Sequence, residues 1–103
     1  MERINFDEEY VDVILSGKKR TTVRKGIRTY PSGRLVELTA NGKTFALARI
    51  RKVVVKRVSE LTDEDALRDG FEKRKDLISA LKRIYGSIDD REFVTIVHFD
   101  VVE

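Results

Sequence analysis

Apolar positions along this chain change their period several times, and each change marks an element. Tyr10, Val11 and Ile14 recur at helical spacing, with Val13 and Leu15 at the margins of that face. Asp7 stands ahead of them as an N-cap, and Glu8 and Glu9 suit the first turn of a helix reaching Ser16. Gly17 stops the pattern, as glycine commonly does at helix ends. From Thr21 the character changes, because β-branched Thr21, Thr22 and Val23 favour an extended strand. Residues 3 to 6 read as a short first strand and residues 35 to 40 as a central one. Asn41-Gly42 is a two-residue hairpin signal. Its partner strand runs from Thr44 toward Val55, where Ala46, Ala48 and Ile50 alternate with polar or basic neighbours. Thr62 opens a short acidic helix ending near Gly70. Leu77, Ile78, Leu81, Ile84 and Tyr85 share one helical face, closed by Gly86. Residues 93 to 102 form a last strand. The order β-α-β-β-β-α-α-β predicts an α+β fold with three helices around a small mixed, mainly antiparallel sheet or barrel.

Length and composition narrow the chemistry. A chain of 103 residues fits one domain over residues 1–103. Cysteine is absent, which excludes disulfides and thiolate metal sites. His98 is the only histidine, so the sequence argues against a zinc centre or a histidine-based triad, and no metal or cofactor is expected. On the Val94 and Ile96 face of the last strand it reads as a packed histidine. The chain opens with Glu2-Arg3 and no apolar segment behind them, so a cytoplasmic location is expected. No long apolar run or basic amphipathic helix suggests membrane binding. The pattern is silent on oligomeric state.

Charge is distributed unevenly. Residues 13 to 58 hold thirteen Lys and Arg against one acid, Glu37, while the flanks hold eight basic and seventeen acidic residues. A formal net charge of +3 therefore hides a middle stretch near +12. Such asymmetry argues for a polyanionic partner, with RNA or a nucleotide as the expected one. An acidic protein binding the same basic face is a further alternative.

The basic segment reaches its highest density in the run Gly17-Lys18-Lys19-Arg20-Thr21-Thr22-Val23-Arg24. Alternate side chains on a strand share a face, so Arg20, Thr22 and Arg24 should project together while Thr21 and Val23 face the core. Two guanidiniums beside a hydroxyl suit a phosphate, because the planar fork grips oxyanions in two places. The bland alternative is a solvated edge strand whose cations discourage edge-to-edge association. Lys18, Lys25, Arg28, Arg49 and Arg51 extend the candidate phosphate-binding surface, with Arg49 and Arg51 on one strand face. Tyr30, in a basic loop, is the candidate for stacking on a base, and Tyr85 reads as core. Asp63-Glu64-Asp65 could attract magnesium, but acids in a helix first turn explain it more simply.

Gly17, Lys19, Thr22 and Arg24 reproduce the Gly-x-Lys-x-x-Thr-x-Arg signature of ASCH domains, and the chain resembles that family over nearly its whole length. The likeness includes the helix before the signature, the central strands, Asp65-Ala66 with Gly70-Phe71, the helix ending Tyr85-Gly86 and the last strand. It looks most similar to small stand-alone archaeal and bacterial members. The resemblance implies a PUA-like fold, a small β-barrel with helices plugging or covering its ends. It also implies RNA or nucleotide binding in a cleft beside the signature. Some similar bacterial members are amidohydrolases that deacetylate N4-acetylcytidine. Their lysine and threonine fall on Lys19 and Thr22, and their downstream glutamate falls on Asp69. Aspartate is one methylene shorter, a departure that weakens the catalytic reading. Ribonuclease activity, known for other members, maps onto no particular positions here.

Read without the family, a threonine nucleophile needs a base, which a desolvated Lys19 could supply and Asp69 could orient. The alternative is a structural Lys19–Asp69 ion pair and an ordinary strand threonine. Strand parity sends positions 19 and 22 to opposite faces. They converge only if the Gly17 turn or a bulge re-aims Lys19.

Overall fold

The computed structural model describes residues 1–102. Its strands are β1 (Arg3–Asn5), β2 (Thr21–Lys25), β3 (Leu35–Ala40), β4 (Lys43–Arg57) and β5 (Phe93–Val101). They form one sheet in the order β1-β3-β4-β5-β2, curled into a half-barrel. β1 runs parallel to β3, and the other three pairings are antiparallel. The mixed, mainly antiparallel α+β architecture expected from the sequence is therefore present, as a half-barrel rather than a closed barrel. β1 and β2 are its two edges, and the seam between them is where the half-barrel stays open.

Helices follow the predicted order with local differences. The expected helix from Asp7 begins as a 3-10 turn, Glu8–Tyr10, before α1 (Val11–Leu15). Asp7 occupies the capping position, but its side chain makes no capping bond. Asn41-Gly42 makes the β3–β4 turn as predicted. β4 then runs past Val55 to Arg57, because β5 offers it a partner as far back as Phe93. In between, Ile50 faces Phe99 and Lys52 faces His98, so Arg51 is the extra residue of a β-bulge.

α2 (Asp63–Arg68) is fixed by a capping box. The Thr62 hydroxyl accepts from the Asp65 N–H at 3.1 Å, and Asp65 Oδ2 accepts from the Thr62 N–H at 3.0 Å. Asp63 Oδ1 accepts from the Arg74 N–H at 2.7 Å, at the start of α3 (Arg74–Tyr85). The acidic triplet is thus occupied in helix architecture.

Both faces of the sheet carry apolar side chains. One packs Ile4, Phe6, Val36, Leu38, Val97 and Phe99 with Ile14 of α1, and the Phe6 ring lies 6.1 Å from that of Phe99. The other packs Val23, Val94 and Ile96 against Ala66 of α2 and Leu77 and Leu81 of α3. Consecutive β5 residues serve opposite cores, so residues 94 to 99 form an unbroken buried run rather than an alternating one. Each buried Val, Leu, Ile or Phe contributes about 1.5–3 kcal/mol. This double burial holds β5, and through it β2, at a fixed height above the helices. No described helix is long and apolar enough to cross a membrane.

Candidate nucleic-acid interface

The site begins with the turn that ends α1. Gly17, at φ +83°, takes a left-handed conformation that a side chain would strain. It lets the Lys19 N–H fold back onto the Val13 carbonyl at 2.9 Å. Lys19 consequently lies before β2 begins and is not bound by strand parity. Its backbone instead makes an isolated bridge to Asp69, the residue that ends α2. Gly70 follows at φ +92°, and a Cβ there would stand 3.4 Å from that of Lys19. Glycine permits this close crossing of two chain segments.

The crossing creates a buried ion pair. Lys19 Nζ lies 3.0 Å from Asp69 Oδ1, and both side chains are 5% exposed. Nζ also donates to the Asp69 carbonyl at 3.3 Å and sits 5.0 Å from the centre of the Tyr10 ring. Asp69 Oδ1 accepts a second hydrogen bond, 2.9 Å, from the Thr21 hydroxyl. Burial pushes the Asp69 carboxyl above its ordinary range, although Lys19 and Thr21 oppose that shift. Burial likewise lowers the Lys19 ammonium, against the pull of Asp69.

Arg24 closes the other end. Its Nε donates to the Thr22 hydroxyl at 2.9 Å, and its Nη2 donates to the Asn5 carbonyl at 2.8 Å. The guanidinium carbon lies 5.3 Å from the centre of the Phe6 ring. One arginine thereby braces β2 against β1 across the open seam.

Between these features lies a cleft with about 530 Å³ of empty space, counted to its open mouth. Lys19, Thr22, Arg24 and Asp69 line one side of it. Phe71 and the α3 residues Leu77, Ala80, Ile84 and Tyr85 line the other. Phe6, Tyr10 and Val23 add to the lining, so cations and hydrogen-bonding groups share one cleft with apolar and aromatic surface. Thr22 and Lys19 meet here because the Gly17 turn re-aims the lysine, the condition that parity demanded. The Thr22 oxygen accepts from Arg24, while Asp69 engages Thr21 rather than Thr22.

The remaining candidates do not line this cleft. Lys18 and Arg20 are exposed, and Arg20 borders a separate groove with Leu15 and Asp100. Arg20 lies just before β2 but stays in register with β5, since the Phe99 N–H donates to its carbonyl at 3.0 Å, and its side chain borders that groove rather than the cleft. Lys25 pairs with Glu92 at 3.3 Å, and Arg28 Nε donates to the Lys25 carbonyl at 3.0 Å. Arg49 Nη1 donates to the Gly33 carbonyl at 2.8 Å, and Arg51 Nε lies 3.6 Å from Asp100. Tyr30 packs on the Phe6–Phe99 core. Tyr85, read as core, packs on the second core and also lines the cleft.

Several contributors escaped sequence reading. Thr21 was assigned wholly to the core, yet its hydroxyl orients Asp69. Asn5 contributes a backbone carbonyl, which no side-chain pattern reveals. Phe71 stands directly after Asp69-Gly70, and that adjacency was the available signal.

The family model described as the ASCH domain matches residues 2–103. Among solved structures, the ASCH domain from Lactobacillus crispatus is 19% identical, with 87% of this chain and 68% of that one covered and a TM-score of 0.65. ASCH from Zymomonas mobilis is also 19% identical, covering 95% of this chain and 65% of that one at a TM-score of 0.68. A solved hypothetical protein, 14% identical, covers 99% of this chain and 100% of its own at a TM-score of 0.75. At these identities the structures establish the fold. No curated protein matches the sequence significantly.

Proposed function

We propose that this chain, which belongs to the ASCH domain family, binds RNA or a nucleotide in the cleft between the signature strand and α3. The mixed lining of that cleft, cations and hydroxyls beside apolar and aromatic side chains, carries the reading. An unstacked nucleobase offers an apolar face to residues such as Ile84 and Tyr85, and polar edges to cations and hydroxyls such as Arg24 and Thr22. Exposed Lys18, Arg20, Arg28, Arg49 and Arg51 add longer-range attraction for the phosphate backbone. Titration of single-stranded RNA at a series of salt concentrations tests it. With about four phosphates contacted, log affinity falls against log salt with a slope of roughly −3. Absence of binding at low salt, or binding indifferent to salt, rejects the proposal.

A second reading rests on Lys19, Thr22 and Asp69 lining one cleft. In it the protein hydrolyses N4-acetylcytidine to cytidine and acetate, with burial readying Lys19 to take a proton. The reaction is expected without added metal, since the sequence has one histidine and no cysteine. Lys19→Ala then costs about 10² or more in turnover. Asp69→Glu raises the rate if the shorter acid limits reach. No acetate from either wild type or Asp69→Glu, with RNA binding intact, eliminates the enzyme and leaves the binder.

A further inference from the structure

β2 is an edge strand, and one side of its backbone has no neighbouring strand. Two hydrogen bonds fix which groups point that way. The Arg20 carbonyl accepts from the Phe99 N–H at 3.0 Å, and the Gly26 N–H donates to the Phe93 carbonyl at 2.7 Å. Both of these groups face β5, so strand alternation turns the N–H and C=O of Thr22 and Arg24 toward β5 as well. Thr21, Val23 and Lys25 therefore turn theirs away from β5, toward the open seam.

The three are not equally available. Upstream, the end of α2 crosses the edge, where the Arg68 carbonyl accepts from the Arg20 N–H at 2.7 Å. Downstream, the Lys25 carbonyl accepts from Arg28 Nε at 3.0 Å. Thr21 and Lys25 do not line the cleft, whereas Val23 does. Thr22 and Arg24 line it too, although alternate side chains leave a strand on opposite faces, so the cleft runs along the edge of β2. Across the seam, the Asn5 carbonyl is already taken by Arg24 Nη2 at 2.8 Å. The Val23 N–H and C=O thus have no partner among the described residues, in a residue only 7% exposed. Buried backbone groups are nearly always paired, so this donor and acceptor ask for a ligand.

We propose that the Val23 backbone reads the ligand, its N–H donating to and its C=O accepting from the Watson–Crick edge of an unpaired nucleobase. This recognition rests on the cleft taking RNA or a nucleotide, and it specifies which edge of the base is held. Each of the common RNA bases carries an acceptor beside a donor on that edge, the complement of one strand residue. A base lying edge-on to β2 keeps its flat faces for the apolar and aromatic lining. With a single residue open, the edge is too short to add a peptide strand, whose affinity comes from successive main-chain pairs. Duplex RNA hides the same edge, so single strands are selected.

Single-stranded RNA hexamers of each common nucleotide, titrated into isotope-labelled protein, test this by NMR. On binding, the Val23 amide proton should move downfield by more than those of Ile96 and Val97 on β5, because a new hydrogen bond deshields it. The hexamer that binds is then remade with the Watson–Crick ring nitrogen of each base methylated, which blocks that edge and leaves the sugar-phosphate chain intact. Affinity should fall by about tenfold or more, since two hydrogen bonds are lost. Binding with the Val23 amide unmoved, or equal affinity for the methylated strand, overturns the role of Val23 and leaves RNA binding by the cleft standing. Failure of every hexamer to bind overturns both.

Discussion

Asp65, in the first turn of α2, and Asp69, at its C-terminal end, lie about one turn apart, both buried and both paired with a lysine, yet their carboxyls are driven in opposite directions. Burial pushes Asp65 up, but hydrogen bonds from Lys56 and from the Thr62 N–H outweigh it and hold the carboxyl below its usual range. Asp69 is pushed up by burial, and Lys19 and Thr21 do not fully offset the push. The partners differ in access to water as well as in number. Lys56 remains 29% exposed, whereas Lys19 is 5% exposed. Identical residues on one helix therefore have carboxyls shifted in opposite directions according to how fully burial is offset by their hydrogen-bond and charge partners.

Removing each carboxylate is the harshest test of that contrast. Asp69→Ala strands an unpaired ammonium in the interior, and breaking a buried pair in this way costs about 3–5 kcal/mol. Asp65→Ala loses a capping box while its lysine can turn to solvent, so a loss of about 0.5–2 kcal/mol is expected. Urea unfolding measures both, and equal losses would break the comparison. Lys19→Met combined with Asp69→Leu should recover most of the loss, because paired apolar replacements of a buried ion pair are often neutral.

Acid then separates the two more finely. The depressed Asp65 carboxyl contributes stability that is present above the ordinary carboxylate range and fades as pH falls through its folded pKa. The raised Asp69 carboxyl behaves oppositely: the folded state binds its proton more tightly, so its contribution declines as pH climbs from the ordinary range through the raised value. Measured as wild type minus Asp65→Asn and wild type minus Asp69→Asn, the stability differences should slope in opposite senses between acid and neutral pH. Parallel slopes would mean the two environments are equivalent.

This contrast was partly legible in the sequence. Thr62 followed by three acids pointed to a helix start, and the capping box sits there. The Lys19–Asp69 pair was anticipated from family resemblance and from the alternative of a structural ion pair, and it forms. Which residue Asp69 would touch was not legible. Thr21 and Thr22 are chemically identical neighbours; strand alternation turns the first toward α2 with Val23, and the crossing of Lys19 over Gly70 brings the Asp69 carboxylate within its reach. The fold was readable because periodicity, hairpin chemistry and glycine stops agree locally. That Arg20 borders a separate groove and that Tyr30 packs on the core were not legible, because both placements depend on how distant segments pack beside the sheet.

Affinity for RNA gives the gentlest test, by comparing a braced cation with a free-standing one. Arg24 spends hydrogen bonds on Thr22 and Asn5, so its guanidinium is already oriented when a ligand arrives. Orientation before binding reduces the entropy lost on contact. Arg49, exposed and anchored only to the Gly33 carbonyl, acts mainly through its charge. Arg24→Ala should weaken single-stranded RNA binding about tenfold, since charge-assisted hydrogen bonds contribute roughly 1.5–3 kcal/mol. Arg49→Ala should change affinity by less, and its signature is a salt slope shallower by about one. Arg24→Lys distinguishes geometry from charge, because an ammonium keeps the charge and loses the fork. If Arg24→Lys binds RNA as well as wild type does, the cleft draws its ligand in by charge alone, and the bracing of Arg24 serves only to hold the seam.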